Sequence, residues 1–455
     1  MAAAYHTKLN QDGPTSNPPL PKLEVAISGG GIAGLTAAIA FLRHPGVSVH
    51  VYERAQEFRE IGASIGIGPN GLRTLEKLGA ENALREGICI RQKGDWHQIY
   101  RHWQTGEIIG YDVHHTVKTK KHFTARFHRA HLHQALYENL PKGIVHLGKK
   151  TVHVEADPRE GVVLYFEDGS SARADICIGA DGIHSRVRKT FVPHHKLHWT
   201  GWVAMRSTFE SSLVKDVDYP EDASHWIGPD RSFFHGHLGK GQFTTVGGFT
   251  ANPADPEAQY KDATWDDEGS MQKLKEYYKD WHPTVQALIE RTPQTRLYPN
   301  MAGDPLETWV FANRVTLVGD AAHTHGGAFA AGGSLAIDDA YALSLALHHV
   351  WPPSSTYTRK PTPKQLETMF KIYERTRKPH ISKVMTLAQH QIIGKKASEE
   401  RTPIDTEDQL LEFVRKRPDT AWISEHDVEA AFRAAVAEFG ELGELASEPV
   451  PHVRL

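Results

Sequence analysis

The hydrophobic pattern of the chain starts with a short apolar run, a glycine-rich turn and a longer segment rich in Ala and Leu. Residues 23–27 (LEVAI) are apolar and partly β-branched, which is typical of a buried parallel strand. The segment LTAAIAFLRH favours a helix that ends at Pro45 and Gly46. Residues 47–53 (VSVHVYE) are the next predicted strand. This succession predicts a β-α-β unit.

Further along the chain, alternating and helical patterns follow one another. Residues 96–113 alternate around a Thr105-Gly106 turn and predict a hairpin, and residues 162–178 predict a second hairpin that continues into a strand. Residues 197–249 are rich in strand-forming and aromatic residues and predict a mainly antiparallel sheet. Residues 315–319 (VTLVG) predict another buried strand. Helical patterns cover residues 72–78, 129–140, 271–278 and 335–350, and most of 365–440.

The composition is that of an ordinary globular protein of about two or three domains. The 455 residues are 40% hydrophobic and 24% charged, and the net charge is −3. So balanced a charge gives no reason to expect nucleic acid or an anionic membrane as a partner. Apolar runs are too short to span a bilayer, and residues 1–21 lack the hydrophobic core of a secretory signal. Cys89 and Cys177 are the only cysteines, which favours a reducing compartment, and we expect a cytoplasmic protein. We also expect a monomer or a homodimer with a flexible N-terminal arm.

Three glycines between the first strand and the first helix follow the G-x-G-x-x-G pattern. Gly29 allows a tight turn, Gly31 lets the backbone approach a pyrophosphate, and Gly34 lets helix and strand pack closely. The helix N-terminus then offers free N–H groups and a positive dipole end to the anion. Glu53 ends the second strand, where a carboxylate can accept a ribose hydroxyl. The pattern predicts a bound dinucleotide, either FAD or NAD, with a merely tight turn as the alternative.

Two acidic motifs follow predicted buried strands. In residues 178–188 (IGADGIHSRVR), Asp181 and Gly182 stand at a strand end, where the ligands of doubly wound sheets bind; a plain turn is the alternative. In residues 317–323 (LVGDAAH), the carboxylate of Asp320 can accept a hydrogen bond from a ligand hydroxyl, or else cap a helix.

Two more segments complete the set of motifs. Ala63 lies in the loop 62–70 (GASIGIGPN), and Arg129 lies in residues 128–132 (HRAHL). Together and in this order, the motifs resemble the fingerprints of the group A flavin monooxygenases, the para-hydroxybenzoate and salicylate hydroxylase family, nearest to its fungal members. The resemblance covers about residues 22–350. It implies that FAD is the dinucleotide, that Ala63 lies beside the flavin and that Arg129 contacts it; a solvated helix arginine is the alternative.

The resemblance also implies the fold class and the domain organisation. We expect an α/β fold with a Rossmann-like FAD-binding domain of the glutathione reductase type, an inserted, mainly antiparallel β-sheet domain for the substrate, and a helical C-terminal tail. The expected division is a flexible arm (1–21), a discontinuous FAD-binding domain (22–90, 125–195 and 296–350), a substrate-binding β domain (91–124 and 196–295), a linker (351–364) and a helical region (365–455).

Gly332 and Gly333 open the predicted helix 335–350. Small residues there would let the flavin edge approach, and the positive end of the helix would stabilise negative charge on the reduced flavin; an ordinary glycine N-cap is the alternative. The preceding segment 324–331 (THGGAFAA) departs from the family, which usually has prolines there, and Gly327 stands where the nearer proline is common. This departure bears on the shape of the pocket and so on the substrate.

The resemblance further implies the reaction. NADH or NADPH reduces the flavin, dioxygen adds to give a C4a-hydroperoxide, and the distal oxygen is delivered to an electron-rich phenolic ring. A salicylate-like substrate would lose its carboxyl group as carbon dioxide. A phenol has a pKa of about 10, and its phenolate is the better nucleophile. The site therefore needs a nearby cation or base that favours the phenolate.

Three side chains are candidates for that role. Arg206 lies on a predicted strand where some fungal family members carry a substrate-binding arginine, and it could anchor a carboxylate or phenolate; a surface arginine is the alternative. His235 and His237 share one face of a strand, and either could act as a base if that face lines the pocket. The candidate walls for stacking on an aromatic ring, or else for ordinary core packing, are Trp202, Trp226 and Phe234.

The remaining alternatives concern metals and function. The 29 histidines indicate no metal site, since no cysteine or acidic residue joins their pairs at ligand spacing. Three functions are compatible with the motifs: hydroxylation of a phenolic substrate, epoxidation or dearomatising hydroxylation of a polyketide-type secondary metabolite, and flavin binding without oxygenase activity. The intact motif at 178–188 argues against the third function, because in the family it marks reduction by a nicotinamide.

Overall fold

A computed structural model describes residues 22–58, 63–251, 267–353, 359–396, 404 and 406–445. The predicted arm at 1–21 lies outside the described residues. The strands, in chain order, are β1 (Leu23–Ser28), β2 (Val47–Tyr52), β3 (Ser64–Ile67), β4 (Cys89–Arg91), β5 (Trp96–His102), β6 (Ile108–Val113), β7 (Ala125–His128), β8 (Val145–His146), β9 (Thr151–Asp157), β10 (Gly161–Phe166), β11 (Ser171–Ala174), β12 (Ile176–Gly179), β13 (Leu197–Glu210), β14 (Ser224–Ile227), β15 (Arg231–His237), β16 (Gln242–Thr250), β17 (Asp267–Gly269), β18 (Thr295–Gly303), β19 (Val310–Phe311) and β20 (Val315–Leu317).

The α-helices of the described chain follow in the same way. They are α1 (Ile32–Leu42), α2 (Pro69–Lys77), α3 (Arg129–Tyr137), α4 (Arg186–Phe191), α5 (Met271–Tyr277), α6 (Pro283–Arg291), α7 (Gly332–Val350), α8 (Pro363–Lys396), α9 (Glu407–Arg415), α10 (Ala421–Ser424) and α11 (Val428–Leu445). No helix in the described ranges combines the length and the apolar character that crossing a bilayer requires.

A six-stranded sheet forms the first layer, in the order β19-β20-β12-β1-β2-β8. Its strands are parallel except for the edge strand β19, and the β-α-β unit predicted from the first apolar segments is confirmed. Ile27, Ile178 and Leu317 are fully buried, because helices and loops cover both faces of the sheet. The strand predicted to run on to residue 178 is instead interrupted at Asp175, where the chain passes from β11 in a separate three-stranded sheet to β12.

An eight-stranded sheet forms the second layer, in the order β17-β18-β13-β16-β15-β14-β5-β6. Its neighbours are antiparallel except for β14 and β5, so the mainly antiparallel sheet predicted for 197–249 is confirmed. Helices α5 and α6 cover one face, where Phe233, Leu274 and Leu288 share a core. The boundary predicted at residue 296 falls inside β18, which pairs with β13, and the sheet therefore continues to Gly303.

A small sheet with the order β3-β7-β4 lies between these two layers. Its Ile67 and Phe127 side chains pack into a core with α1, α2 and α3. The opposite face of β3 meets the eight-stranded sheet, since the hydroxyl of Thr244 on β16 donates to Ser64 Oγ at 3.2 Å. The space between the two large sheets is therefore bounded by β3 and β7.

The C-terminal region is helical, as the sequence predicts. Helix α8 begins inside the predicted linker, because Thr362 and Gln365 form reciprocal hydrogen bonds between side chain and backbone that cap it. Helices α8 and α11 pack on α7. Helix α9 lies at the far edge of the eight-stranded sheet, where Val414 packs against Ile227. Arg417 follows α9, and its guanidinium lies 3.3 Å from the ring centroid of Tyr100 on β5.

Candidate active site

The glycine turn after β1 is held by close backbone contacts. Gly29 has a φ of 105°, and a Cβ there would lie 2.4 Å from the carbonyl oxygen of Ala180 after β12. A Cβ on Gly34 would lie 1.9 Å from the carbonyl oxygen of Gly29, so helix α1 and the turn touch at that point. A Cβ on Gly31 would meet no atom within 4 Å. Two glycines thus close the turn, and the third leaves open space at the start of α1.

The carboxylate of Glu53 lies beside this turn. It accepts hydrogen bonds from the backbone N–H groups of Gly30, at 2.7 Å, and of Ala55, at 2.9 Å. On the other side, Nε2 of the buried His133 contacts the carbonyl oxygen of Gly30 at 2.7 Å. The sequence analysis missed His133, because a single histidine on an apolar helix face carries no distinctive signal.

Asp181 and Gly182 follow β12 at the same edge of the sheet. The carboxylate of Asp181 accepts hydrogen bonds from Ser185 Oγ at 2.5 Å and from the backbone N–H groups of Arg186 and Val187, at 2.7 and 3.2 Å. It therefore caps the N-terminus of α4. Burial raises the pKa of Asp181 despite these hydrogen bonds. A Cβ on Gly182 would meet no atom within 4 Å.

Arg188 connects the two acidic motifs. This buried side chain donates from Nη1 to the carbonyl oxygens of Asp320, at 3.1 Å, and Ala321, at 2.9 Å, and from Nη2 to the carbonyl oxygen of Ile183. The sequence placed Arg188 within a motif but assigned it no role. Its contacts hold the loops after β12 and β20 side by side.

Asp320 lies in the loop after β20, and its side chain is exposed. Its carboxylate accepts no hydrogen bond from the described residues, and Oδ1 lies 3.8 Å from the position of a Cβ on Gly332. A Cβ on the preceding residue, Gly319, would lie 3.3 Å from Ala33 Cβ on α1. The loop with Asp320 is therefore adjacent to the start of α1, as expected for the carboxyl ends of parallel strands.

A buried charge network lies beneath this loop. Oδ2 of Asp339 on α7 accepts from the backbone N–H of Gly319 at 2.9 Å and contacts His323 Nε2 at 2.6 Å, and Oδ1 accepts from Arg377 Nε at 2.8 Å. Burial alone would raise the pKa of Asp339, but His323 and Arg377 more than offset it and hold the pKa below its ordinary value. The network fixes the loop to α7 and α8.

The N-terminus of α7 meets the C-terminal end of β3. A Cβ on Gly333 would lie 2.8 Å from Ile67 Cδ1, and Ser334 Oγ accepts from the backbone N–H of Gly68 at 2.8 Å. The backbone N–H of Arg129 donates to the carbonyl oxygen of Ala63 at 2.8 Å at the start of the same strand. The structure thus brings Ala63, Arg129 and the glycine pair together around β3.

Arg206 lies on the face of the eight-stranded sheet that meets β3. Arg206, Val246, Phe234 and His225 are paired directly across β13, β16, β15 and β14, so their side chains share this face. Arg206 and His225 lie deep in the protein, yet part of the surface of each is free of protein atoms. They therefore line an internal chamber between the sheet and the small sheet.

Several groups in this chamber set its electrostatics. The guanidinium of Arg206 lies 5.3 Å from the ring centroid of Tyr298, and its Nε has no hydrogen-bond partner among the described residues. Burial lowers the pKa of Arg206, and Tyr298 opposes that effect. Burial lowers the pKa of His225 to about 4, so this imidazole is neutral at neutral pH. Arg206 is then a positive charge on this face of the sheet, next to Arg296, with which it is paired across β13 and β18.

His235 and His237 do not join Arg206. They lie on the opposite face, because residues alternate along β15 and Phe234 faces the chamber. His235 stacks on Phe243 at 6.1 Å within the core beneath α5 and α6, and burial lowers its pKa to about 3. His237 Nε2 lies 2.9 Å from the hydroxyl of Tyr219. The expectation that these histidines reach the pocket is therefore corrected by the register of the strand.

The aromatic residues predicted to stack on the substrate ring also lie on two different faces of the sheet. Phe234 faces the chamber, whereas Trp226 is buried in the core beneath the helices, 5.1 Å from the ring of His282. Trp202 lies on the Arg206 face, where a Cβ on Gly248 would come within 2.3 Å of its indole Cζ2 atom. Phe234 and Trp202 thus share a face with Arg206, and Trp226 does not.

Gly327 lies in a strained segment between β20 and α7. It has a φ of 70°, and Phe329 and Ala330 also have positive φ, which is rare for residues other than glycine. A Cβ on Gly327 would lie 3.1 Å from the side-chain nitrogen of Asn300 on β18. The segment therefore joins α7 to the eight-stranded sheet. The described residues contain no group of three or more His, Cys, Asp and Glu side chains that could hold a metal ion.

Comparisons with known proteins extend over the same elements. A family model described as FAD binding domain matches residues 22–388. The chain is 32% identical over 372 residues to the 6-hydroxynicotinate 3-monooxygenase of Pseudomonas fluorescens, covering 80% of this chain and 90% of that protein. It is 28% identical over 341 residues to the 6-methylsalicylate 1-monooxygenase of Aspergillus terreus, covering 72% and 75%. The solved structure of a salicylate hydroxylase substrate complex aligns with a TM-score of 0.71 at 25% identity, covering 91% of this chain and 98% of that one.

Proposed function

Because this chain belongs to the FAD-binding-domain family of flavoproteins, we propose that it is a monooxygenase that uses FAD, NADH or NADPH, and dioxygen to hydroxylate a phenolic aromatic substrate. The observation that carries the proposal is the position of Arg206. This cation is buried in the chamber next to β3, without a carboxylate at ion-pair distance among the described residues.

The residues at the ends of β1, β12 and β20 fit FAD. Gly31 leaves room for the pyrophosphate at the start of α1, and Glu53 is positioned for the ribose hydroxyls. The exposed carboxylate of Asp320 is available to the ribityl chain, and Gly332 leaves space at the N-terminus of α7. When bound, FAD accepts two electrons from the nicotinamide and activates dioxygen for transfer to the ring.

Arg206 would bind the phenol oxygen of the substrate and stabilise its phenolate. A phenol has a pKa of about 10, and lowering it by about two units requires about 2.7 kcal/mol of differential stabilisation. A guanidinium in a chamber with little water can supply an effect of this size, because its charge is weakly screened. The side chain of Val246 lies next to Arg206 and that of Phe234 lies beyond Val246 in the same row, and both would exclude water from the ring.

The finer features of the enzyme are part of the same proposal. The eight-stranded sheet is the substrate-binding part, and the substrate is salicylate-like, with loss of carbon dioxide on hydroxylation. The relative from Aspergillus terreus supports the closeness to fungal members of the family. The enzyme acts as a monomer or homodimer.

The test is an assay of the purified protein for flavin absorbance and for NADH and NADPH oxidation across a panel of hydroxybenzoates and larger phenols. Benzoate, which lacks the hydroxyl group, is the matched control. We expect oxidation that a phenol stimulates at least tenfold and benzoate does not, with a product heavier by one oxygen or by one oxygen less carbon dioxide. Bound flavin without stimulation by any phenol would contradict the proposal and favour a binding protein.

A further inference from the structure

A second arginine lies in the interior, on β7. Arg126 is 6% exposed, and its Nη2 donates to Oε1 of Gln92 at 2.9 Å. The amide of Gln92 is itself fixed by the backbone of Ala223, through bonds of 2.9 and 3.2 Å. Arg126 Nε has no partner among the described residues, and Asp222 acts on the guanidinium only from beyond ion-pair distance. A buried cation is thus held in place by a neutral amide.

Arg188, Arg314 and Arg377, which are as inaccessible to solvent as Arg126, are satisfied in a different way. Arg377 donates to the Asp339 carboxylate at 2.8 Å. Arg314 donates to the carbonyl oxygens of Pro158, at 2.7 and 3.1 Å, and of Asp175 at 3.4 Å, while Arg188 donates to three carbonyl oxygens. A fully buried charge without such partners is costly, so a structural role alone does not account for Arg126.

Arg126 faces the same chamber as Arg206. It pairs with Gly66 on β3, where a Cβ would meet no atom within 4 Å, so open space lies on this face of the small sheet. Its Nε lies 3.6 Å from the position of a Cβ on Gly236. Gly236 is linked to β13 through the pairs with Thr244 and Thr208. With about 4.8 Å between strands and about 6.7 Å per two residues, the Cα atoms of Gly236 and Arg206 are about 12 Å apart.

One aromatic ring fits into this distance. The guanidinium of Arg126 already lies beside Gly236, and an extended Arg206 side chain of about 6 to 7 Å directed towards it would leave about 5 to 6 Å between the two groups. Burial lowers the pKa of Arg126 to about 10, so it remains a cation at neutral pH. The chamber therefore offers two positive charges from two different sheets.

We infer that Arg126 is an anion-binding side chain of the substrate chamber, which binds a carboxylate of the substrate while Arg206 binds the phenol oxygen. The inference rests on the proposed function and assigns the carboxylate of its salicylate-like substrate to one particular side chain. Arg126 contacts the substrate and determines specificity, and Gln92 positions it.

The test compares matched acids and amides in the FAD-loaded enzyme. Dissociation constants for 2-, 3- and 4-hydroxybenzoate and for the corresponding hydroxybenzamides are measured from the change in flavin absorbance. We expect the wild type to bind at least one acid tenfold or more tightly than its amide. Arg126→Gln should weaken the binding of that acid at least tenfold and change amide binding less than twofold, with Arg126→Lys in between. Arg173→Gln, at an exposed position on β11, is the control.

The outcomes separate this inference from the proposed function. Equal losses for acid and amide in Arg126→Gln, or a wild type that prefers no acid to its amide, would overturn the role of Arg126. Because the wild-type preference and Arg126→Lys are measured independently, a glutamine variant that does not fold leaves the test intact. A wild type that binds the acids selectively but forms no hydroxylated product would instead contradict the proposed hydroxylation.

Discussion

Nη1 of Arg188 donates to the carbonyl oxygen of Ala321 at 2.9 Å and so joins the loop after β12 to the loop after β20. Two other carbonyl oxygens, of Asp320 and Ile183, share the same guanidinium. Asp320 is therefore positioned by its backbone, while its carboxylate stays free of hydrogen bonds from the described chain.

We expect Arg188→Met to reduce FAD affinity at least tenfold, because three buried carbonyl oxygens lose their donor and the loop with Asp320 loses its support. The unpaired groups should also lower the free energy of unfolding by about 2 to 3 kcal/mol. Flavin titration and urea unfolding of the apoprotein measure the two effects. Arg188→Lys should recover part of the affinity; a methionine variant that retains FAD fully would show that the bridge does not support the site.

Asp320→Ala should lower FAD affinity without destabilising the apoprotein, since the carboxylate contacts no described donor. The loss expected for one charged hydrogen bond is about tenfold or more. The matched control is Asp304→Ala, whose exposed carboxylate contacts His198 at 2.9 Å. Equal flavin retention in both variants would remove Asp320 from the cofactor site.

Two glycines in the turn after β1 should respond to alanine in opposite ways. Gly34→Ala places a Cβ 1.9 Å from the carbonyl oxygen of Gly29. Because the two atoms overlap, the substitution should destabilise the apoprotein by about several kcal/mol. Gly31 has an ordinary φ and open space around it, so Gly31→Ala should leave the melting temperature of the apoprotein unchanged. It should nevertheless weaken FAD binding, because the methyl group occupies the approach to the pyrophosphate. Calorimetry and flavin titration distinguish the two effects.

Arg206→Ala should weaken stimulation of NAD(P)H oxidation by a phenolic substrate at least tenfold at normal flavin content, because the cation that stabilises the phenolate is lost. Arg206→Lys keeps the positive charge and should weaken the stimulation by the substrate less than Arg206→Ala does. The pH dependence of substrate binding provides a second measurement: the alanine variant should need a higher pH for the same phenolate fraction. Unchanged kinetics in the alanine variant would exclude Arg206 from the chamber's chemistry.

The stacked rings of His380 and His426, 3.9 Å apart, make docking of α10 dependent on pH. Burial lowers the pKa of His380 to about 2 and that of His426 to about 4. Both are neutral in the folded state, so stability is full above the unfolded pKa of about 6.5 and falls as pH drops below it, by about 1.4 kcal/mol per histidine at pH 5.5.

His426→Phe keeps a ring on His380 but cannot titrate. We expect it to reduce the difference in unfolding free energy between pH 7.5 and pH 5.5 by about 1.4 kcal/mol, the contribution of one histidine, measured by urea unfolding. Hydrogen exchange of residues 421–426 should show the same change. His153→Asn, at an exposed position on β9, should leave the pH dependence as in the wild type. Identical pH dependence in all three proteins would contradict the role of the stacked pair.

The sequence predicts the cofactor side of the site well because its signals are local. The spacing of Gly29, Gly31 and Gly34 requires a strand, a turn and a helix in succession, and the structure has all three. Asp320 stands directly after a buried strand, so its position at the sheet edge follows from the parallel order. These inferences need no knowledge of which strands pair.

The substrate side could not be predicted in the same way, because it depends on pairing across distant strands. Along β15 both faces carry aromatic side chains, with Phe234 on one face and His235 on the other, and alternation alone cannot say which face α5 and α6 cover. The partners of Arg206 come from β16 and β18, which lie on either side of β13. Arg126 belongs to no motif and became a candidate only because the described residues provide it with no carboxylate at ion-pair distance.

Arg417 pairs with Asp112 at 2.8 Å and covers Tyr100, which lies next to His225 at the end of the row that begins with Arg206. Residues 407–417, which include α9 and carry this side chain, contact the edge of the eight-stranded sheet and take no part in the glycine turn or in the network around Asp339. Natural variation in this late stretch of the chain can therefore alter what enters the enzyme while coenzyme retention is inherited unchanged.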